Sequence, residues 1–217
     1  MEAIAALVPS GCIAADIGTD HAQLPIALVK RGICPKAYAA DVAEGPLNSA
    51  CSNLKEAGVE DWVIPVLSDG FERIPQDADC AVIAGMGYRT AAGILEAALD
   101  RLARFRCIIV QINNEADTMR RWISEHHYTI LDERYVQDRG KDYEITSFRA
   151  EPHAVYSGEE ILLGPCLMKK KDAAYMDYCM REYEKAKRIN TLRRERNKSA
   201  DEELIRKEMI LKQYLGV

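Results

Sequence analysis

The sequence lacks a long hydrophobic run, and this absence excludes a membrane-spanning helix. No apolar stretch among its 217 residues approaches the ~18 residues that a bilayer requires. The apolar N-terminus carries Glu2 and has no basic residue ahead of its apolar run. It therefore predicts a short helix and not a secretion signal. We expect no membrane partner.

Closely spaced cysteine pairs are also missing. None of the seven cysteines belongs to a C-x-x-C pair, so the sequence contains neither a zinc-ribbon motif nor a thiol redox motif. Several of these cysteines lie in apolar runs, which indicates reduced, buried thiols of a cytoplasmic protein. The sequence therefore predicts no metal site and a cytoplasmic location.

Basic residues are fewer than acidic residues overall, but they are concentrated in one segment. The chain has 29 Lys and Arg against 34 Asp and Glu, a net charge of −5, which alone argues against a nucleic-acid partner. Residues 169–198, however, carry 11 basic and 5 acidic residues, whereas residues 1–168 have a net charge of −10. An acidic body with one basic segment indicates an arm that faces a polyanion. The commoner meaning of such a charge run is a solvated helix face.

The first 150 residues alternate short apolar runs with amphipathic segments. The apolar runs are candidate strands at 12–16, 36–41, 62–67, 79–84 and 106–112. The amphipathic segments are candidate helices at 23–31, 45–57, 89–104 and 115–126. Short, wholly apolar strands that alternate with helices predict an α/β fold with a parallel sheet covered on both faces.

A pair of longer β-like runs follows, at 127–136 and 142–149, and Gly140 between them predicts a hairpin-type turn. The sheet should therefore end in an antiparallel strand pair. The composition changes over residues 151–165, where two prolines and two glycines occur. We accordingly predict a first domain over 1–155 and a C-terminal helical domain over 156–217.

The tail from residue 167 to 217 has helical periodicity. Two apolar stripes support two helices: Met176, Met180 and Tyr183 in the first, and Leu204, Leu211 and Leu215 in the second. Ser199, with Glu202 three positions later, resembles a capping box that starts the second helix. The tail therefore predicts an antiparallel helical hairpin with coiled-coil-like packing.

The turn after the first candidate strand lacks the glycines of a phosphate-binding loop. In DIGTDH, residues 16–21, only Gly18 is a glycine and no Gly-Lys-Ser/Thr follows, which excludes a P-loop and the three-glycine dinucleotide fingerprint. An acid at Asp20 would repel a pyrophosphate at the helix N-terminus. Asp16 and Asp20 suit a ligand with a cationic end and no phosphate, such as S-adenosylmethionine (SAM).

Acids also follow the next two candidate strands, at the end of the sheet where ligands bind. Asp41 lies 23 residues after Gly18, where an acid accepts hydrogen bonds from ribose hydroxyls, and Asp69 could bond an adenine amino group. Gly85 and Gly87 follow the fourth strand and permit a close approach to the backbone. One such acid is more often a helix cap or turn former. Three acids after successive strands indicate a nucleoside site.

The order of short motifs resembles the TrmK family, bacterial SAM-dependent tRNA (adenine-N1)-methyltransferases that modify adenine 22. The resemblance runs from about residue 5 to residue 215 and includes the helical tail. It is carried by Asp16-Ile17-Gly18, Asp20-His21-Ala22, Leu24-Pro25, Glu44-Gly45-Pro46, Gly85-Met86-Gly87, Gln111, Asn113-Asn114, Gly140-Lys141 and Tyr143-Glu144. The chain departs from the pattern at Gln23, Tyr88 and Ile112, where the family has Tyr, Gly and Pro. Ala40-Asp41 replaces the usual Gly-Glu pair and keeps the carboxylate.

The resemblance implies a Rossmann-like class I methyltransferase sheet, SAM as the cofactor and tRNA as the partner of a protein that we expect to be monomeric. The implied cofactor-binding residues are Asp16, Ile17, Gly18, Thr19, Asp20, His21, Asp41, Val42, Ser68, Asp69, Gly70, Gly85 and Met86. The implied substrate-binding residues are Gln23, Gly87, Tyr88, Arg89, Asn113, Lys169, Lys170, Lys171, Arg188, Arg193 and Arg194.

The implied reaction is direct methyl transfer, because adenine N1 has an in-plane lone pair and needs no deprotonation. Asp20 is the candidate for stabilising the cationic product, although binding the SAM ammonium or capping the helix is the favoured explanation of this acid. Tyr88 could stack on an exposed adenine, or simply fill space. Two alternatives stay open: a non-catalytic or differently specific SAM- or RNA-binding relative, and a nicotinamide enzyme, which the missing glycines and Asp20 disfavour.

Overall fold

The computed structural model describes residues 1–196 and 199–217, which form a seven-stranded sheet between helices and a C-terminal helical hairpin. The strands are β1 (Ile13–Ile17), β2 (Lys36–Asp41), β3 (Val63–Leu67), β4 (Cys80–Met86), β5 (Cys107–Ile112), β6 (Tyr128–Asp138) and β7 (Lys141–Pro152). The helices are α1 (Glu2–Ala5), α2 (Gln23–Lys30), α3 (Glu44–Ala57), α4 (Tyr88–Glu96), α5 (Leu99–Leu102), α6 (Ala116–Glu125), α7 (Gly158–Leu163), α8 (Pro165–Lys170), α9 (Ala173–Glu195) and α10 (Glu202–Leu215).

The strand order is β3-β2-β1-β4-β5-β7-β6, with β1 to β5 parallel and β7 antiparallel to both β5 and β6. The predicted mostly parallel sheet with a C-terminal antiparallel pair is therefore confirmed. The chain builds outward from β1 to β3 and then returns to place β4 beside β1. The order reverses between β1 and β4, and open α/β sheets bind their ligands at such a point.

Helices cover both faces of the parallel strands, which explains why these strands are apolar throughout. In β4, Ala81 and Ile83 pack into the core on one face, and Cys80 and Val82 pack into the core on the other. This alternation follows from the two-residue period of a strand. Polar residues are left for the strand ends, where the sheet meets solvent.

The β6–β7 hairpin closes through a two-residue turn at the predicted position. Asp138 pairs with Lys141, and the two residues between them, Arg139 and Gly140, have φ values of 49° and 75°. Two successive residues with positive φ match the right-handed twist of a hairpin, and a glycine at the second position lowers the cost. The turn carries Lys141 back toward the end of β5.

One predicted helix is divided in the structure. The segment expected to be a single helix over 89–104 forms α4 and α5, because Ala98 leaves the helical conformation with φ −125° and ψ 15°. Leu95, Ala98 and Leu102 are all buried, so the break turns both helices toward the core. Apolar periodicity continues across the break, so it did not reveal the change of direction.

The C-terminal hairpin is antiparallel, as expected. Asn190 near the end of α9 donates to Glu208 of α10 at 2.6 Å, and Glu182 earlier in α9 accepts from Lys207 at 2.6 Å. Asn190 is buried between the helices, where a single polar residue can fix the register of a helix pair. Coiled-coil packing of this pair stays a prediction.

The buried stripe of α9 differs from the predicted one. Tyr175, Cys179 and Tyr183 are buried, whereas Met180 is 37% exposed. The predicted stripe of Met176, Met180 and Tyr183 was therefore wrong at Met180. The reason is the hydroxyl of Tyr175, which donates to the carbonyl of Leu163 at 2.5 Å and directs the aromatic side of α9 inward.

The start of α10 is also corrected. Its N-cap is Asp201, whose carboxylate accepts from the backbone N–H of Leu204 at 3.1 Å, and not Ser199. Asp201 stands next to the first helical residue, where an N-cap must lie to reach the free N–H groups of the first turn. The predicted connection between the helices also contains Asn197 and Lys198, which lie outside the described residues.

Residues 156–170 pack on both parts of the molecule. Tyr156 and Ile161 belong to the core of the sheet, whereas Leu163 and Leu167 pack with the buried side of α9 and with Leu211. The domain boundary after residue 155 stays a prediction, and this packing favours a division nearer to the start of α9. In the part of the chain that the structure describes, every helix is too short or too polar to cross a membrane.

Candidate active site

The carboxyl ends of the five parallel strands meet at one edge of the sheet, and this edge gathers the predicted cofactor residues. The β1 turn is tied to β2, because the N–H groups of Gly18 and Thr19 both donate to the carbonyl of Ala40 at 2.8 Å. The first two strand ends, which carry Asp16 and Asp41, are therefore held together. They lie beside the point where the strand order reverses.

Asp16 is a buried carboxylate, only 8% exposed. It accepts a hydrogen bond from the Thr19 hydroxyl at 2.6 Å. Burial raises the pKa of Asp16 to about 6, against the opposing effect of the Thr19 hydrogen bond and with a further increase from the charge of Asp41. A buried acid with a raised pKa at the ligand-binding edge of a sheet is a candidate functional group, and a cationic ligand would return it to the charged form.

Gly18 brings the ends of β1 and β4 into contact. Its φ of +75° favours glycine, and a Cβ at this position would collide with the side-chain methyl of Met86. Met86 therefore lies directly against the β1 turn. Two predicted cofactor residues that are 68 positions apart in sequence meet at the reversal point.

Asp20 and His21 form the exposed part of the same turn. The His21 ring nitrogen Nε2 lies 3.1 Å from the carboxylate of Asp20, and both side chains are open to solvent. His21 and Ala22 have φ values of 61° and 54°, conformations that residues other than glycine rarely adopt. Such strained residues cluster at ligand sites. The turn therefore presents a carboxylate where the positive end of a ligand could bind.

The β2 end combines an acid with an exposed apolar residue. One oxygen of Asp41 accepts from the N–H of Ala43 at 2.9 Å, which leaves the other oxygen free for hydroxyl donors of a ligand. Val42, the next residue, is 67% exposed. An exposed aliphatic side chain beside an acid suits the combination of a ribose and a flat base.

At the end of β3, Ser68 stabilises the turn and Asp69 provides an exposed carboxylate. The Ser68 hydroxyl donates to the carbonyl of Gly70 and accepts from the N–H of Arg73, both at 3.0 Å. These bonds occupy the hydroxyl, so the role of Ser68 here is to hold the turn. Asp69 is exposed and free to accept from an exocyclic amino group.

The predicted substrate residues divide between several places. Tyr88 starts α4, with Gly87 as its N-cap, and its half-buried ring packs against the core while Arg89 points to solvent. Gln23 lies in a shallow groove between α2 and α3. Asn113 follows β5, which lies on the opposite side of β4 from β1. Gln23 and Asn113 therefore line two different openings of the surface, and their shared role in binding substrate stays a prediction.

A cleft of about 730 Å³ opens beyond β5, between the sheet and the helical hairpin. Its walls come from the end of β5, the start of β7, α7, α9 and α10. Its lining includes Asn113, Asn114, Lys141, Tyr143, Tyr178 and Leu211. The volume lies in the range of small-molecule and nucleoside pockets. Asn114, Lys141 and Tyr143 belong to motifs that the cofactor site does not use.

A buried ion group lies behind this cleft. Arg120 is 1% exposed and binds Glu133 through Nε at 2.5 Å and Glu144, a cleft residue, through Nη2. Burial lowers the pKa of Arg120, but the charges of Glu133 and Glu144 outweigh it and raise that pKa well above its usual value. Glu133 also accepts from the N–H of Cys166 at 2.8 Å. The group therefore joins α6, the β6–β7 hairpin and α8.

The predicted basic residues of the tail differ in their availability. Lys170 binds Asp132 and the carbonyl of Glu133, both at 2.5 Å, and Arg193 binds the carbonyl of Ser199 and lies 3.6 Å from Asp201. These two side chains are occupied within the protein. The remaining predicted basic residues are exposed: Lys169, Lys171, Arg188 and Arg194. Over residues 1–196 and 199–217, no His, Cys, Asp and Glu side chains form a group of three that could hold a metal ion.

Gln111 belongs to the motif order of the TrmK family, but the sequence assigned it no role. It is buried at the end of β5, and its side chain accepts from the N–H of Gly85 at 3.0 Å. The available signal was a single amide inside the apolar run CIIVQI. Such an amide must find a partner when buried, but the sequence does not identify which partner.

Comparison with known proteins agrees with this geometry. A family model, TrmK, described as tRNA (adenine(22)-N(1))-methyltransferase, matches residues 14–214. The tRNA (adenine(22)-N(1))-methyltransferase of Bacillus subtilis (strain 168) is 34% identical over 182 residues, which cover 81% of this chain and 76% of that protein.

Solved structures are similar over almost the whole chain. Streptococcus pneumoniae Sp1610 in complex with S-adenosyl-L-methionine has a TM-score of 0.86 at 33% identity, covering 99% of this chain and 97% of that chain. The Bacillus subtilis m1A22 tRNA methyltransferase TrmK has a TM-score of 0.85 at 29% identity, covering 99% and 96%. The chain belongs to the TrmK family of tRNA (adenine(22)-N(1))-methyltransferases.

Proposed function

We propose that this protein transfers a methyl group from SAM to N1 of an adenine in tRNA, adenine 22. The observation that carries the proposal is the set of strand-end acids, Asp16 and Asp41 above all, beside the reversal point of a sheet whose sequence belongs to the TrmK family. Membership of that family also favours methyl transfer over nicotinamide chemistry.

The residues at the sheet edge fit SAM. Asp16 and Asp20 offer carboxylates to its ammonium and sulfonium charges, and Asp41 offers an acceptor to its ribose hydroxyls. Gly85 has φ +75° and no atom within 4 Å of a notional Cβ, so a ligand can approach its backbone closely. When bound, SAM supplies a methyl group on a positively charged sulfur, which makes the sulfur a good leaving group.

The protein has to align the adenine rather than activate it. Adenine N1 attacks with its own lone pair, the bond from carbon to sulfur breaks, and the positive charge passes from sulfur to the adenine ring. Positioning therefore supplies most of the rate. We assign Asp20 the role of countering the charge that develops on the ring, because it is an exposed carboxylate on the β1 turn.

The target base must leave its pair or stack before N1 can be reached. We propose that it enters from the cleft beyond β5, on the opposite side of β4 from Asp16 and Asp41. The ring of Tyr88, at the start of α4, would stack on it. The amides of Asn113 and Asn114 and the hydroxyl of Tyr143 would contact this base or its neighbours.

The exposed basic residues of α8 and α9 would hold the tRNA backbone. Lys169, Lys171, Arg188 and Arg194 are the predicted contacts that remain exposed, and such contacts to phosphates give affinity without sequence specificity. We further propose that the protein acts as a monomer and, because its substrate is tRNA, in the cytoplasm.

Transfer of label from methyl-labelled SAM to unmodified tRNA tests the proposal. We expect incorporation into tRNA with adenine at position 22 and none into the same tRNA with guanine there. Asp41→Ala should weaken SAM binding by about 1.5–3 kcal/mol, the value of a hydrogen bond to a charged acceptor. Tight NAD binding with no SAM binding in calorimetry would overturn the proposal. SAM binding without transfer would instead identify a non-catalytic relative.

A further inference from the structure

The β4 strand contains a bulge at the point where it reaches the active-site edge. Ala84 pairs with Gln111 and Met86 pairs with Ile112, so Gly85 has no partner residue on β5. A bulged residue loses its place in the ladder of backbone hydrogen bonds. The N–H and C=O of Gly85 must therefore find other partners or face solvent.

Two amide side chains of β5 and its following loop satisfy both groups. The side-chain oxygen of Gln111 accepts from the N–H of Gly85 at 3.0 Å, and the side-chain nitrogen of Asn113 donates to the Gly85 carbonyl at 2.9 Å. The two amides also approach each other, with Gln111 Nε2 lying 3.5 Å from Asn113 Oδ1. The backbone N–H of Asn113 donates to the carbonyl of Met86 at 2.9 Å. The bulge is therefore held from one side by a continuous brace.

The opposite side of the bulge is open. Gly85 has a positive φ and free space around a notional Cβ, and Met86, the next residue, contacts the β1 turn at Gly18. The brace acts from the β5 side. SAM would approach from the β1 side, and the adenine would enter from the cleft beyond β5. Gln111 is 8% exposed, so it is shielded from those ligands and acts through Gly85.

We propose that Gln111 is a positioning residue for methyl transfer, and that it fixes the Gly85–Met86–Gly87 backbone against which the methyl group and the adenine are aligned. This proposal rests on the proposed function. The physical reason is that alignment carries the rate, and a displacement of about 1 Å can cost about a hundredfold in rate. Asn113 completes the brace, but it also lines the cleft and can contact substrate, so Gln111 gives the cleaner test.

The test compares Gln111→Met with Gln111→Glu. Methionine keeps the length of the side chain and removes the acceptor, whereas glutamate keeps an oxygen that accepts from the Gly85 N–H. We expect Gln111→Met to lower kcat about ten- to hundredfold. KM for tRNA and the SAM affinity should change less than about threefold, and Gln111→Glu should recover most of kcat, because the ground-state contacts remain intact.

A matched control separates positioning from general loss of a buried hydrogen bond. Ser124→Ala also removes a buried side-chain acceptor from a backbone N–H, that of Tyr156 at 2.9 Å, away from the strand ends. It should lower thermal stability and leave kcat within about twofold of the parent. An unchanged kcat in folded Gln111→Met would overturn the proposal, and so would an increased KM for tRNA with kcat unchanged.

Amide hydrogen exchange of Gly85 provides a readout that is independent of activity. In the full-length protein without ligands, Gln111→Met should exchange the Gly85 N–H at least about tenfold faster, because its acceptor is gone. An exchange rate equal to the parent's would contradict the brace. If the parent methylates no tRNA at all, the proposed function fails, and this exchange rate alone decides whether Gln111 holds the bulge.

Discussion

The raised pKa of Asp16 makes the proposed binding of SAM dependent on pH. Its carboxyl is buried beside Thr19 and near Asp41, and its pKa is raised to about 6. A cationic ligand stabilises the ionised form, so binding to the protonated protein must release a proton. The raised pKa therefore predicts a pH dependence of SAM affinity near neutrality, well above the usual range of an aspartate.

SAM affinity should rise with pH through the pKa of Asp16 and level off above it. Below about pH 6, the affinity should fall by up to about tenfold per pH unit, because the proton must first leave Asp16. Calorimetry between about pH 5 and pH 7 measures this slope. Asp16→Asn should bind SAM more weakly but with a flat profile. The same slope in parent and variant would remove Asp16 from the site.

Tyr88 stands where the family pattern has glycine, and its ring is half-buried against the core. If the ring stacks on adenine, Tyr88→Phe should match the parent. Tyr88→Ala should lose roughly 1–3 kcal/mol of tRNA binding, the value of one aromatic–base stack. Equilibrium tRNA binding, with thermal melts as a check of folding, distinguishes the variants.

The ring of Tyr88 could instead block a pocket that a glycine at this position would leave open. If the ring obstructs a pocket, Tyr88→Gly should raise the methylation rate, read as stops in primer extension. Equal rates and affinities for the Phe, Ala and Gly variants would show that Tyr88 only fills space.

The positions of the strand-end acids could be predicted from the sequence, whereas their role could only be proposed. Asp16 and Asp41 are recognisable because an acid directly after an apolar strand has a fixed place at the sheet edge. Gln111 could not be recognised in this way, because its proposed role depends on a β-bulge at Gly85, which lies 26 residues earlier in the chain. Ser68 has a structural role as well, since its hydroxyl is occupied by its own turn. These assignments to SAM remain predictions until binding is measured.

At the scale of elements, the basic charge of the tail is divided between internal pairs and a free surface. Arg181, Lys185 and Lys207 bind acids of the cleft region or of α9. Arg188 and Arg194 are exposed on α9. The free residues, rather than the whole basic run, should therefore carry the electrostatic contact with tRNA.

The double variant Arg188→Ala/Arg194→Ala should weaken tRNA binding at low salt. The slope of log affinity against log salt should fall by about two, because two phosphate contacts are lost. SAM affinity should not change. Lys55→Ala, an exposed lysine of α3 in the sheet domain, is the control and should leave the slope unchanged. If both variants behave alike, the α9 charges form a solvated helix face.

The helices and strands that follow from the local pattern of apolar residues were predicted correctly. The features that depend on contacts between distant segments were missed. The strand–helix alternation and the turn at Gly140 were recognisable because apolar runs and turn residues report local geometry. The break at Ala98 and the choice of Tyr175 over Met180 as a buried residue depend on contacts with distant segments. A single sequence does not specify these contacts.

At the scale of the whole molecule, the ion group around Arg120 connects the sheet with the helices that follow it. Its guanidinium meets Glu133 and Glu144, and Glu133 in turn accepts from the backbone at the start of α8. Nothing in the sequence marked this arginine, because it lies in an amphipathic helix where an arginine is normally exposed. We therefore expect this group to fix the orientation of the hairpin and, with it, the shape of the cleft.

Arg120→Met should lower the free energy of unfolding by about 3–5 kcal/mol, because the buried carboxylate of Glu133 and the partly buried carboxylate of Glu144 lose their partner. Urea denaturation measures this loss. Arg121→Met changes the exposed neighbour in the same helix and should cost less than about 0.5 kcal/mol. A similar cost for both variants would show that the buried group does not stabilise the junction.

Methylation of adenine 22 is tested most directly by nucleoside mapping after incubation of the protein with SAM and an unmodified tRNA. We expect 1-methyladenosine at position 22, detected by mass spectrometry and by a primer-extension block, since an N1 methyl prevents Watson–Crick pairing. Asp41→Ala should slow its formation at limiting SAM. Methylation at another base or at another atom of adenine, or SAM binding with no methylated nucleoside, would show that the protein does not methylate N1 of adenine 22.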